Sequence, residues 1–144
     1  MSEETLLLQA SVVAIGGQAL AIEGPPGSGK SSLTLALLDR GAGLIGDDGV
    51  TLTHKDGALI ASPAPQIEGL IELRGIGLVT VPVAPPCPLA LILDLGARGD
   101  RLPHILASRS FFGADIPVLP FEPGAIAPAI RAEWALAKHG LATL

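Results

Sequence analysis

Apolar residues in this chain fall in short runs broken by glycine and proline. Residues 6–15 and 18–23 are two such runs, the first with β-branched Val12 and Val13, and Gly16-Gly17 between them predicts a β-hairpin. The period then changes. Over 32–40, Leu33, Leu37 and Arg40 share one helical face with Ala36 beside them, and Gly41 follows as a C-cap. Residues 42–46 predict a short strand. Residues 51–54 and 58–61, joined by Lys55-Asp56-Gly57, predict a second hairpin, and 62–66 a loop. In 67–78, glycines surround Glu72 and Arg74, which lie on one face if the segment is extended. Residues 79–83 and 89–95 read as buried strands. His104 and Arg109 fall in a short helical stretch. Residues 116–120 form a last strand, placed at a sheet edge by Pro117 and Pro120. Residues 126–139 predict an amphipathic helix that buries Ile130, Trp134 and Ala137.

The expected class is α/β, a mixed β-sheet with flanking helices, in one domain over residues 1–144. Apolar residues are 49% and aromatics only 3%, so the core is built from Val, Leu, Ile and Ala. A net charge of −5 argues against nucleic acid or an anionic membrane as main partner. The single cysteine, Cys87, lies between two prolines; it allows no internal disulfide and reads as structural. The first residues are acidic and unlike a signal peptide, and no apolar run nears the ~20 residues that span a bilayer. A soluble, cytoplasmic protein is expected.

The candidate chemistry starts at Gly24-Pro25-Pro26-Gly27-Ser28-Gly29-Lys30-Ser31, which reads G-x-x-x-x-G-K-[ST]. An apolar strand precedes it and a helix, opening at Ser32, follows. Glycines let successive N–H groups form an anion nest, and the helix directs its positive end at the same phosphates. Lys30 can reach the β/γ-phosphates and Ser31 can ligate Mg²⁺. The alternative is a Gly-Pro turn capping an ordinary helix. Asp47-Asp48, at the end of the 42–46 strand, suits Mg²⁺ and water handling; the alternative is a solvated turn. Of Glu72 and Arg74, one could hold metal and the other neutralise phosphate; the alternative is a surface ion pair on an edge strand. Arg98 or Arg101 could face a phosphate from a charged loop, unless that loop is simply solvated. His54 reads as an exposed strand-end residue.

In this order, the phosphate loop, Asp47-Asp48, Glu72-Leu73-Arg74-Gly75-Ile76-Gly77 and Asp100-Arg101-Leu102 resemble the C-terminal catalytic domain of HPr kinase/phosphorylase, in its short alphaproteobacterial-type form without the family's N-terminal domain. The resemblance implies a P-loop kinase core related to that of phosphoenolpyruvate carboxykinases. It implies transfer of the ATP γ-phosphoryl group to a serine of the phosphocarrier HPr, reversed in many members by inorganic phosphate. It further implies that Lys30 neutralises the transferring phosphate, Ser31 and Glu72 hold Mg²⁺, and Asp48 is the general base. Asp47 would help place metal or water, Arg101 would be the catalytic arginine, and the assembly a hexamer. Three positions depart from the family: Gln9 replaces a His, Ala125 replaces the Arg of Pro-Gly-Arg, and Ser32 replaces a Glu. The first two imply weak or absent phosphorylase activity. A small-molecule kinase and a catalytically reduced nucleotide-binding module remain as alternatives.

Overall fold

The computed structural model describes residues 4–64, 69–103 and 105–142. Eleven strands and two helices are described: β1 (Glu4–Leu8), β2 (Ser11–Ile15), β3 (Gln18–Glu23), α1 (Lys30–Asp39), β4 (Gly43–Gly46), β5 (Val50–Lys55), β6 (Ala58–Pro63), β7 (Leu70–Leu73), β8 (Gly77–Thr80), β9 (Cys87–Asp94), β10 (Ala107–Phe111), β11 (Ala114–Pro120) and α2 (Pro128–His139). Nine strands form one mixed sheet, as the α/β expectation requires.

β9 is its axis. Along one edge it pairs in parallel with β3; along the other it pairs first with β6, antiparallel, and then with β11, parallel. β2 and then β4 extend the β3 side, while β5 and β1 extend the β6 side. β7 and β8 form a separate hairpin. Apolar side chains leave the central strands on both faces. On one face Leu20, Ile22, Leu91 and Leu93 pack against α1, α2 and the β7–β8 hairpin. On the other Ala19, Ala21 and Ile92 pack with β5, β6, Phe111 and Ile116. Leu33 and Leu37 seat α1 on the first face, each worth about 2 kcal/mol of burial. The helix ends as expected at Gly41: Gly41 N–H donates to Leu38 O and Ala42 N–H to Leu37 O, a Schellman pair.

Several expected elements differ. The 6–15 run contains two strands, because β1 leaves β2 to pair with β5. Arg40 is exposed and ion-paired to Glu133 at 2.9 Å; Thr34 is buried on α1 instead, its hydroxyl donating to Lys30 O. Residues 79–83 are no buried strand: β8 is mostly exposed and ends at Thr80. Arg109 lies on strand β10, not a helix, and His104 lies outside the described residues. β11 is internal, between β9 and β10; only residues 118–120 pair with β9, so Pro117 interrupts no bond there. Ser62 and Pro63 complete β6, and the rest of the expected loop from 65 onward lies outside the described residues. On α2 the buried face is Ala129, Ala132, Ala135 and Leu136, while Ile130 and Ala137 are exposed and Trp134 is 71% exposed. Three alanines and Leu136 thus make the buried face of α2, within the core cluster that also holds Leu33 and Leu37 of α1. His54 is half-buried, stacked on Phe112 with ring centroids 6.1 Å apart, rather than exposed.

Candidate functional site

β3, β4, β9 and β11 run the same way, so their C-terminal ends share one edge. That edge is where open α/β sheets bind ligands. Gly24, Asp47, Leu95 and Phe121 each leave a strand there. The strand–loop–helix order expected around the G-x-x-x-x-G-K-[ST] stretch is therefore present, β3 feeding the loop and α1 leaving it.

The loop is tightly built. A Cβ on Gly24 would lie 2.5 Å from Ser28 Oγ and 3.1 Å from Leu95 Cβ, so no other residue fits without moving both. Gly29, in the left-handed region at φ 100, is the N-cap of α1 and supplies no side-chain cap. The first helical bond runs from Leu33 N–H to Gly29 O, which leaves the N–H groups of Lys30, Ser31 and Ser32 without intrahelical acceptors. Ser28 Oγ is buried with no hydrogen-bond partner among the described residues. Leaving a buried hydroxyl unpaired costs about 1–3 kcal/mol, which a bound phosphate oxygen would relieve. These donors fit an anion. Beside them a cleft of about 320 Å³ is lined on one side by Gly27, Ser28 and Ser32 and on the other by Pro123, Gly124 and Pro128.

The carboxylates come next. Asp47 is held from both sides: Ser11 Oγ donates to its Oδ1 at 2.9 Å, and Glu72 N–H donates to its Oδ2 at 3.3 Å. Two motifs 25 residues apart thus meet at one side chain. Glu72 is the penultimate residue of β7, and it is exposed. Asp48 is exposed, at φ 64, a left-handed conformation that Asp tolerates better than most residues. Arg74 does not share an extended face with Glu72; it lies in the β7–β8 turn. Arg74 and Arg101 are exposed, and neither reaches another candidate side chain among the described residues. Arg98, its side chain 92% exposed, is ion-paired with Glu122 at 3.4 Å. Cys87 is buried, and burial pushes its thiol pKa up, as suits a structural cysteine.

Three features were not singled out in the sequence. Ser11 is a buried polar residue in an otherwise apolar strand, and that mismatch was its signal. Glu23 and Asp94 end the paired strands β3 and β9, and Arg109 reaches Glu23 Oε2 at 2.6 Å. The hydrogen bond to Glu23 pushes the Arg109 pKa up, against burial, with attraction to Glu23 and Asp94 adding to the rise. An acidic residue closing both β3 and β9 was the readable sign. Arg131, on α2, had no sequence signal; its guanidinium donates to the carbonyls of Glu122, Pro123 and Ile126 where the chain folds back from β11.

A strand entering a glycine-rich loop, a helix leaving it, and a carboxylate fixed just past the end of β4, two strands away and parallel to the first, define an α/β domain of the P-loop class. Residues 1–84 match the family model described as the HPr Serine kinase C-terminal domain, a span that holds the loop, Asp47-Asp48 and the Glu72–Gly77 motif. The chain belongs to that family. It is 40% identical over 74 residues to HPr kinase/phosphorylase of Clostridium botulinum (strain Eklund 17B), covering 51% of this chain and 24% of the relative. Against the Lactobacillus johnsonii enzyme of the same name it is 35% identical over 119 residues, 74% of this chain and 37% of the relative. The matches thus span a quarter to two fifths of these relatives' length. The solved Hpr(Ser) kinase/phosphatase of Coxiella burnetii superposes with a TM-score of 0.78 at 25% identity, covering 92% of this chain and 89% of that one. Among the described residues no helix is long and apolar enough to cross a membrane.

Proposed function

We propose that this chain is a Mg-ATP-dependent protein serine kinase acting on the phosphocarrier HPr, with weak or absent phosphorylase activity. The observation that carries this reading is the meeting of Asp47 and Glu72 on the strand edge that also bears the phosphate loop. Membership of the HPr serine kinase family supplies the acceptor class.

The N–H groups of residues 30–32 and the Ser28 hydroxyl would bind the phosphates, and Lys30 would offset their charge as the γ-phosphoryl group transfers. Ser31, Glu72 and Asp47 would hold Mg²⁺, which would offset the negative charge of the phosphates. Asp48 stands exposed beside them and would take the proton of the acceptor serine. The resemblance assigns the catalytic arginine's task to Arg101, and Arg74 would neutralise phosphate beside it. Ala125 supplies no cation beside the cleft, and Gln9, exposed between β1 and β2, supplies no imidazolium. Phosphorolysis brings a second anion into the site, so it loses most from those two changes. Within this reading residues 1–144 act as one catalytic domain and assemble as homo-oligomers, as the resemblance implies.

The test is incubation with γ-labelled ATP in a cell extract, with and without added HPr. Label on HPr supports the reading. Label on a metabolite would make the chain a small-molecule kinase, and tight nucleotide binding without turnover a regulatory module.

A further inference from the structure

The segment that leaves β11 for α2 forms one wall of the cleft, opposite the phosphate loop. Gly29 and this wall nearly touch: a Cβ on Gly29 would lie 3.6 Å from Pro123 Cγ. The segment has no regular secondary structure over 121–126, and it carries two left-handed residues, Gly124 at φ 57 and Ala127 at φ 43. Such a segment needs something to fix it. At its start Phe121 N–H donates to Asp94 O, and the Phe121 ring is buried in the core on the helix side. Beyond that point one side chain provides the fixing. Arg131 Nε donates to Ile126 O at 2.9 Å, and its Nη2 donates to Glu122 O at 3.0 Å and to Pro123 O. Its guanidinium carbon lies 5.0 Å from the centroid of the Phe121 ring.

We infer that Arg131 is a positioning residue for the nucleotide: it braces the carbonyls of Glu122, Pro123 and Ile126, on either side of the Pro123–Gly124 wall, and so sets how the cleft closes on a ligand held by the phosphate loop. This rests on the proposed nucleotide-binding reading. The geometry favours bracing over direct phosphate contact, because three guanidinium donors are already committed to carbonyls. The bonds come from two nitrogens of the planar fork, Nε and Nη2; a lysine keeps the charge and the stem but gathers its donors on one nitrogen and loses the fork.

The experiment compares Arg131→Lys and Arg131→Gln with the wild-type chain. Mg-ATP affinity is measured by calorimetry, thermal midpoint by fluorescence, and kcat and KM with HPr as acceptor. Both variants are expected to bind Mg-ATP about tenfold more weakly, the equivalent of one hydrogen bond. KM for ATP should rise in proportion, with kcat at saturation within about threefold of wild type, since the brace shapes binding and not the chemical step. If Arg131→Gln fails to fold, Arg131→Lys decides. Wild-type affinity in Arg131→Lys overturns the inference, since charge alone would then suffice. A fall in kcat at unchanged KM overturns it too. Wild-type protein that binds no Mg-ATP overturns the nucleotide reading along with it, whereas wild-type binding with unaffected variants overturns the brace alone.

Discussion

Replacing Ser11 by alanine removes one of the two donors that hold the Asp47 carboxylate. The lost bond is 2.9 Å long and starts from a residue only 2% exposed. A hydrogen bond to a charged acceptor is worth about 1.5–3 kcal/mol. Asp47 is only partly buried, so water replaces part of this, leaving a stability cost of about 1 kcal/mol. For a domain of this size that lowers the thermal midpoint by about 2–4 °C. The functional effect is larger. With one donor gone, only the longer 3.3 Å bond from Glu72 N–H restrains the carboxylate. Loss of a partner that orients a metal ligand typically costs about 10- to 100-fold in metal affinity. The assay is a Mg²⁺ titration of phosphoryl transfer at fixed ATP, run beside a thermal melt. Ser11→Ala should need about tenfold more Mg²⁺ for half-maximal rate. A melt lowered as expected with an unchanged Mg²⁺ titration would refute the link from Ser11 through Asp47 to the metal.

Asp48→Asn should slow phosphoryl transfer by about 10²-fold while ATP binding survives; a larger loss in Asp47→Asn would mean that the two roles are reversed. Incubating serine-phosphorylated HPr with Mg²⁺ and phosphate should release pyrophosphate far more slowly than the forward kinase rate. Comparable rates would show that an arginine such as Arg98, Arg101 or Arg109 supplies the charge missing at Ala125. Burial raises the Cys87 pKa above its ordinary 9.0, so the unfolded thiol ionises first as pH rises and the folded chain loses stability above about pH 9. Thermal midpoints taken from about pH 8 to about pH 10 should fall less steeply in Cys87→Ala; equal slopes would show that Cys87 makes no such contribution.

The phosphate loop, the Gly16-Gly17 hairpin and the Schellman end of α1 were legible because each depends on a few adjacent residues. β9 was legible as a buried strand because it is apolar on both faces. Its forked pairing was not, since nothing local to residues 87–94 tells β6 from β11. The face of α2 was misread for a physical reason. Residue size is a poor guide on a helix whose buried face is set by its position on the core: Ala129, Ala132, Ala135 and Leu136 face inward, and Ile130 and Trp134 stay outside. The site divided in the same way. Asp47 and Glu72 were readable as motif members, whereas the Ser11 contact to Asp47 spans 36 residues, and Arg131 meets the carbonyls of Glu122, Pro123 and Ile126 only because the chain turns back between β11 and α2.

The central claim is phosphoryl transfer to a serine of HPr from ATP held at the Gly24–Ser31 loop. Its most direct test is intact-mass and peptide mass spectrometry of HPr after incubation with Mg-ATP and either wild-type chain or Lys30→Ala. The account predicts one added phosphoryl group on a serine with wild type and none with Lys30→Ala, whose nest has lost its mobile cation. HPr left unmodified by wild-type protein that binds Mg-ATP would contradict it, and so would equal modification by Lys30→Ala.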